Sequence, residues 1–302
     1  MEKLRRTMLF MPGNNPGMLQ DAAILGADSI ILDLEDAVSL TEKDSARILV
    51  REAIKTIDYS QVEVVVRVNP FDTEFGPQDI DVIARVRPDT LLIPKANEEE
   101  ITLVDKILDK IEIEEGFAHG SIKLIALIET ALGLENVYKV IQASKRIVGV
   151  LLGGEDLTAD LGIERTKEGE EIFYARNKVA TVCRALKVDA IDTPFTDTND
   201  YEGLAKDTAR AKSLGLTGKS AINPRQIYTI HSVFAPTEAE LKHALRVLDA
   251  MEEAEKEGKG CCSLDGKMID APVINRATCT VEQCIRLGLI SDEVEQDENN
   301  IR

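Results

Sequence analysis

The chain has no tryptophan, and aromatic residues fill 4% of its 302 positions, too few for a surface on which bases or sugars stack. Histidine is nearly as scarce: His119, His231 and His243 fall in a loop and on expected surface helices, so none is read as a base or a metal ligand. Basic side chains are outnumbered, 36 against 54 acidic ones, and a net charge of −18 repels nucleic acid and anionic membranes. No apolar run reaches the length of a membrane span and no secretory leader is evident. The five cysteines lack paired metal-ligand spacing and are read as reduced thiols of a cytoplasmic protein. There is no G-x-S-x-G or Cys–His arrangement for an acyl-enzyme, and no G-x-G-x-x-G turn for a dinucleotide.

What the chain does have is apolar runs that stop at charge. Residues 122–128, IKLIALI, run into Glu129, and residues 147–154, IVGVLLGG, run into Glu155 and Asp156. Such runs read as buried parallel strands. Comparable strand candidates occupy 7–11, 28–32, 62–68, 90–94, 188–191 and 216–221. Helical patterns fill 16–25, 42–57, 78–86, 98–111, 132–143, 172–186, 201–214, and 225–234 continued by 238–257. Spacing of about twenty to forty residues from strand to strand is that of a βα unit. Eight such units predict an α/β fold, a (β/α)8 TIM barrel over residues 1–257. Residues 258–302 are then a C-terminal lid or appendage, with a short helix at 281–287 and an acidic tail from Asp292, too small for a core of its own.

In a barrel of this kind the chemistry stands at the C-terminal ends of the strands. Those ends carry Asp33, Glu35 and Asp36 after strand two, Arg67 and Asn69 after three, and Lys95 after four. Glu129 follows strand five, Glu155 and Asp156 six, Asp192 and Thr193 seven, and Lys219, Ser220 and Asn223 belong to eight. The N-terminal ends are expected to hold no comparable cluster. Glu129 and Asp156, on neighbouring strands, suit a hard divalent cation with oxygen ligands, although either could serve a helix N-terminus instead. Arg67 suits a bidentate carboxylate clamp or a structural pair with Glu35. Lys95 and Lys219 are structural or, less simply, imine-forming. The turn at Pro12, Gly13 and Asn14 is a plain turn or a phosphate holder. A cation beside an arginine stabilises enolate-like charge without a covalent adduct, which points to carbon–carbon bond cleavage or formation next to a carbonyl.

Seven segments resemble the citrate lyase β-subunit family, within the larger group of citryl-, malyl- and citramalyl-thioester lyases: 6–16 RTMLFMPGNNP, 30–38 IILDLEDAV, 126–133 ALIETALG, 153–162 GGEDLTADLG, 192–195 DTPF, 218–227 GKSAINPRQI and 266–273 GKMIDAPV. The resemblance implies Mg²⁺ on Glu129 and Asp156, holding oxaloacetate, with Arg67 clamping the oxoacid and Glu35 as an acid beside it. It implies that Asp270, on a C-terminal lid and often supplied by a neighbouring subunit, transfers the proton, and that Asn14 and Lys95 stand near the thioester carrier. The activity implied is Mg²⁺-dependent cleavage of a citryl thioester carried on an acyl carrier protein, in citrate fermentation. The partners implied are that carrier subunit and an acyltransferase subunit, with a homo-oligomer, trimer or hexamer, in isolation. An acidic carrier needs a basic patch, for which Arg5, Arg6 and Lys219 are candidates. The competing readings are a stand-alone malyl- or citramalyl-CoA lyase and a scaffold that has lost catalysis.

Overall fold

Every strand candidate forms, and each pairs in parallel with the next. A computed structural model of the protein describes residues 3–256, 258 and 261–290. The strands are β1 (Thr7–Pro12), β2 (Ser29–Asp33), β3 (Glu63–Arg67), β4 (Thr90–Ile93), β5 (Lys123–Ile128), β6 (Ile147–Leu152), β7 (Asp189–Asp192) and β8 (Gly218–Ala221). Pairing of Thr7 with Lys219 returns β8 to β1 and closes a TIM-type barrel. The helices are α1 (Pro16–Asp21), α2 (Lys43–Thr56), α3 (Gly76–Ala84), α4 (Glu98–Glu115), α5 (Ala131–Glu135), α6 (Val137–Gln142), α7 (Gly154–Leu161), α8 (Phe173–Leu186), α9 (Tyr201–Ser213), α10 (Ile227–Phe234), α11 (Glu238–Lys256) and α12 (Ala271–Arg286). Among the described residues no helix is long and apolar enough to cross a membrane.

Alternation along the strands sorts the apolar residues into two layers. Met8, Ile31, Val65, Leu92, Ile125, Leu151 and Ile191 fill the barrel interior. Their immediate neighbours, among them Leu9, Ile30, Val64, Leu91, Leu124, Val150 and Ala190, pack outward against the helices. The same parity governs the polar residues at the strand ends.

At the N-terminal rim the inward positions carry charge after all, contrary to the expectation from sequence. Glu63, buried inside the barrel, accepts hydrogen bonds from Arg5 Nε (2.8 Å), Arg5 Nη2 (2.7 Å), Ser29 Oγ (2.6 Å) and Thr90 Oγ1 (3.0 Å). Arg5 Nη1 also binds Asp189 Oδ2 at 2.7 Å, and Arg6 holds Asp28 through Nε and Nη2 at 2.9 and 2.8 Å. A buried carboxylate is tolerated only when paired and hydrogen-bonded. Both arginines are therefore committed to the closed rim and do not form a basic docking patch.

The chain divides into two compact units after Phe234, where the sequence reading placed the boundary at 257/258. The reason lies in α11, whose Ala244 and Val247 share a core with Ile269, Ala277 and Val281. Within this second unit β9 (Cys262–Leu264) and β10 (Lys267–Ile269) form an antiparallel hairpin. Its turn is Asp265 and Gly266, with φ of 51° and 75°, the left-handed pair that tight hairpins favour. The short helix expected at 281–287 begins ten residues earlier: Asp270 caps it and Pro272 sits in its first turn, both N-terminal signals. The expected acidic tail from Asp292 lies outside the described residues.

Between α4 and β6, Glu112 accepts from Arg146 Nη1 (2.8 Å), Arg146 Nη2 (2.7 Å), Gly120 N (2.7 Å) and Ile122 N (3.0 Å). Burial alone would raise its pKa, but the Arg146 bonds and the two amides overcome this and hold it at about 2. Because the folded pKa lies below the ordinary 4.5, the stabilisation is complete above pH 4.5 and drains away as pH falls towards 2. Arg146→Ala strands the buried carboxylate and should destabilise the protein by about 3–5 kcal/mol, as urea unfolding at pH 7 would measure. Glu112→Gln should flatten the acid limb of the stability–pH curve; an unchanged limb would count against the pairing.

Candidate active site

The C-terminal rim encloses a cavity of about 370 Å³. Residues of inward parity reach it first: Asp33 ends β2, Arg67 ends β3, Glu129 follows β5, Gly153 follows β6 and Thr193 follows β7. Phe10, Leu127, Leu151, Pro194 and Ile222 supply its apolar wall, and Asp36, Glu155 and Asp156 join its lining.

Asp33 and Arg67 are partners in the β2–β3 register, so their side chains meet on the inner face. Arg67 donates from Nε to Asp33 Oδ1 (2.7 Å) and from Nη2 to Asp33 Oδ2 (2.6 Å). Asp33 in turn accepts from the amides of Glu35 (2.9 Å) and Ala37 (3.1 Å), which folds the 33–37 turn around it. The structural partner of Arg67 is thus chiefly Asp33. Glu35 Oε2 stands 2.8 Å from Nη1 without hydrogen-bond alignment, and Asp36 Oδ2 lies at 3.3 Å. The guanidinium also covers the Phe10 ring, 5.0 Å from its centroid, a contact that holds the fork flat. Burial raises Glu35 to about 7; the nearby Arg67 opposes the rise, and Asp36 and Asp33 add to it.

Glu129 is 2% exposed. Its Oε1 accepts from the amide of Lys95 at 2.8 Å, and Lys95 has a φ of 47°. A left-handed lysine is strained, and here the strained backbone aims an N–H at the carboxylate. On the other side Gly153 is required, because a Cβ there would lie 2.6 Å from Glu129 Cβ and 2.8 Å from Oε2. Burial raises Glu129 to about 8, and the carboxylates of Glu35 and Asp156 push in the same direction. Asp156 stands exposed in the first turn of α7. It is not the N-cap, a position that falls to Gly153 with no side-chain bond.

The cavity therefore gathers five acidic side chains, Asp33, Asp36, Glu129, Glu155 and Asp156, against one arginine that Asp33 already engages. Its donors are carboxylate oxygens, with no histidine or cysteine in the lining, a set suited to a hard divalent cation. Glu129, lifted by burial and by like charge, is the group that such a cation would return to its ionised form. Asp109, Glu112 and His119 also converge elsewhere in the barrel unit, but Arg146 already occupies both carboxylates.

The other expected site residues lie elsewhere. Asp192 and Lys219 are register partners of outward parity and are fully buried between barrel and helices. Lys219 Nζ donates to Asp192 Oδ2 (2.6 Å) and Asp207 Oδ2 (2.6 Å), and Arg176 binds the same two aspartates. Lys219 is thus a structural cation and cannot join a docking patch. Asn14 donates to Glu42 Oε2 at 2.8 Å, and the Lys95 side chain is exposed. Asp270 belongs to the second unit, where it accepts from Val273 N at 3.3 Å. Asp33 is the member of the acidic 33–36 cluster that takes a barrel arginine; Phe10 and Gly153 carry no charge to flag them, although strand parity puts both on the inner face.

A family model described as HpcH/HpaI aldolase/citrate lyase matches residues 6–224. The citrate lyase subunit beta of Leuconostoc mesenteroides subsp. cremoris is 46% identical over 277 residues, 91% of this chain and 92% of that protein. Among solved structures, Mycobacterium tuberculosis CitE in complex with magnesium, acetoacetate and coenzyme A has a TM-score of 0.78 at 28% identity, covering 93% of this chain and 98% of that one. The citrate lyase beta subunit of the same organism, complexed with oxaloacetate and magnesium, has a TM-score of 0.65 at 28% identity, over 77% and 98%.

Since Glu35 contributes more than Asp156 to raising Glu129, Glu35→Gln should lower the Glu129 midpoint further than Asp156→Asn does. Carboxyl-carbon NMR titration of the cation-free protein checks the order. A Glu129 midpoint near the ordinary 4.5 in the unsubstituted protein would sink the account of its environment.

Proposed function

Because the chain belongs to the HpcH/HpaI aldolase/citrate lyase family, we propose that it is a carbon–carbon lyase, the β-subunit of a citrate lyase. It cleaves a citryl thioester to oxaloacetate and an acetyl thioester, with Mg²⁺ as cofactor. The observation that carries this reading is the convergence of Glu129, Asp156 and Arg67 on one cavity at the C-terminal rim. It is supported by 46% identity to a citrate lyase β-subunit over most of both chains, and by a relative complexed with oxaloacetate and magnesium.

Glu129 and Asp156 would hold the cation, whose positive charge favours ionisation of the substrate's tertiary hydroxyl and offsets charge on the oxoacid. Arg67 keeps its Nε and Nη2 on Asp33 and its Nη1 beside Asp36 and Glu35, and as the arginine of the cavity lining its charge would offset that of the oxoacid carboxylate. Asp33 and Phe10 fix the plane of that fork, and Glu35 stands beside its Nη1. Loss of the hydroxyl proton breaks the adjacent C–C bond. The bonding pair passes to the methylene carbon as a thioester enolate, and the hydroxyl oxygen becomes the keto oxygen of oxaloacetate. Asp270 is the proposed transfer group: its carboxylate takes the hydroxyl proton and returns it to the enolate carbon, which gives the acetyl thioester.

We further assign the substrate's carrier as an acyl carrier protein, with Asn14 and Lys95 facing it. An acyltransferase subunit completes the complex, which works in the cytoplasm in citrate fermentation, and in isolation the protein forms a homo-oligomer, trimer or hexamer. A relative crystallised with coenzyme A favours a second reading, a lyase of free malyl- or citramalyl-CoA. Product analysis with citryl, malyl and citramalyl groups on free CoA and on carrier protein separates the two.

Glu129→Ala and Asp156→Ala should each abolish cleavage in chelator-treated enzyme resupplied with Mg²⁺, and Asp270→Asn should lose turnover while still binding the cation. Near-unchanged turnover in either Glu129→Ala or Asp156→Ala would overturn the assignment.

A further inference from the structure

Helix α7 carries Asp156, yet its start is poorly secured by its own sequence. The N-cap is Gly153, which offers no side-chain acceptor, so the first-turn amides need partners from outside the helix. One partner is Thr193, beyond the end of β7: its Oγ1 accepts from the amide of Gly154 at 3.0 Å, and the bond is buried. The fit is tight, since a Cβ on Gly154 would come within 2.7 Å of that oxygen. Thr193 is itself held from behind. Its carbonyl accepts from Lys219 Nζ at 2.7 Å, and Lys219 is locked to Asp192 and Asp207, which Arg176 braces at 2.8 and 2.7 Å. Four buried charges of balanced sign thus hold the carbonyl of the residue whose hydroxyl meets the start of α7. The reaction uses none of the four.

We infer that Thr193 is a positioning residue for the cation site: anchored on the buried Lys219 cluster, it fixes the first turn of α7 and thereby the separation of Asp156 from Glu129. The inference rests on the reading of those two carboxylates as cation ligands. Groups that orient metal ligands from behind typically govern affinity by 10- to 100-fold.

The test is Mn²⁺ binding to the full-length protein, followed by electron paramagnetic resonance with Mg²⁺ as competitor. Thr193→Val removes the acceptor at nearly constant volume and should weaken Mn²⁺ binding by about 10- to 100-fold. Thr193→Ser keeps the hydroxyl and should restore affinity to within about threefold of the unsubstituted protein. Unchanged affinity in Thr193→Val, or a serine variant as weak as the valine one, overturns the inference. Should Thr193→Val fail to fold in a thermal melt, Thr193→Ala is held to the same outcomes. Asp156→Asn separates the two levels. If it binds Mn²⁺ unchanged, the ligand reading itself fails; if it loses Mn²⁺ while Thr193→Val retains it, the fault lies with Thr193 alone.

Discussion

Eight parallel strands that close on themselves leave each strand side chain two destinations, the barrel interior or the layer under the helices. Neither offers water, so every charge on a strand must be matched where parity sends it. The solutions differ by place. Glu63 at the N-terminal rim is met by Arg5, and Asp192 and Asp207 under the helices are met by Lys219 and Arg176. At the C-terminal rim Arg67 meets Asp33, and four further acidic residues line the cavity.

That imbalance separates function from architecture in this molecule. Where opposite charges match one for one, the arrangement is complete without a ligand. At the cavity, burial leaves Glu129 near 8 and Glu35 near 7, above the ordinary range of a carboxyl group. Carboxylates held so close together suit an incoming positive charge. The amide of Lys95 holds Glu129 in place, and the missing Cβ of Gly153 leaves the room it occupies.

Much of this could be read from the chain, because each strand is an apolar run ended by charge and each end falls on one rim. The cavity carboxylates and Arg67 stood out for that reason. What stayed hidden depended on parity or distance. Asp192 and Lys219 resemble rim residues until alternation is applied, and Glu63 lies 58 positions from Arg5, with no local pattern to connect them. The start of α12 was obscured because Asp270 and Pro272 serve equally as turn and cap residues. The boundary after Phe234 was masked by α11, a long amphipathic helix that continues the barrel's rhythm while packing on α12.

That boundary bears on how the protein can be cut and recombined. A fragment ending at 257 would carry α11 without Ala277 and Val281, exposing Ala244, Val247 and their neighbours as a sticky stripe prone to self-association. A fragment ending at Phe234 stops on a side chain already sealed in the barrel's outer core. The family model itself stops at 224, short of the same seam, so the seam is the natural joint for chimeras that exchange C-terminal units among relatives.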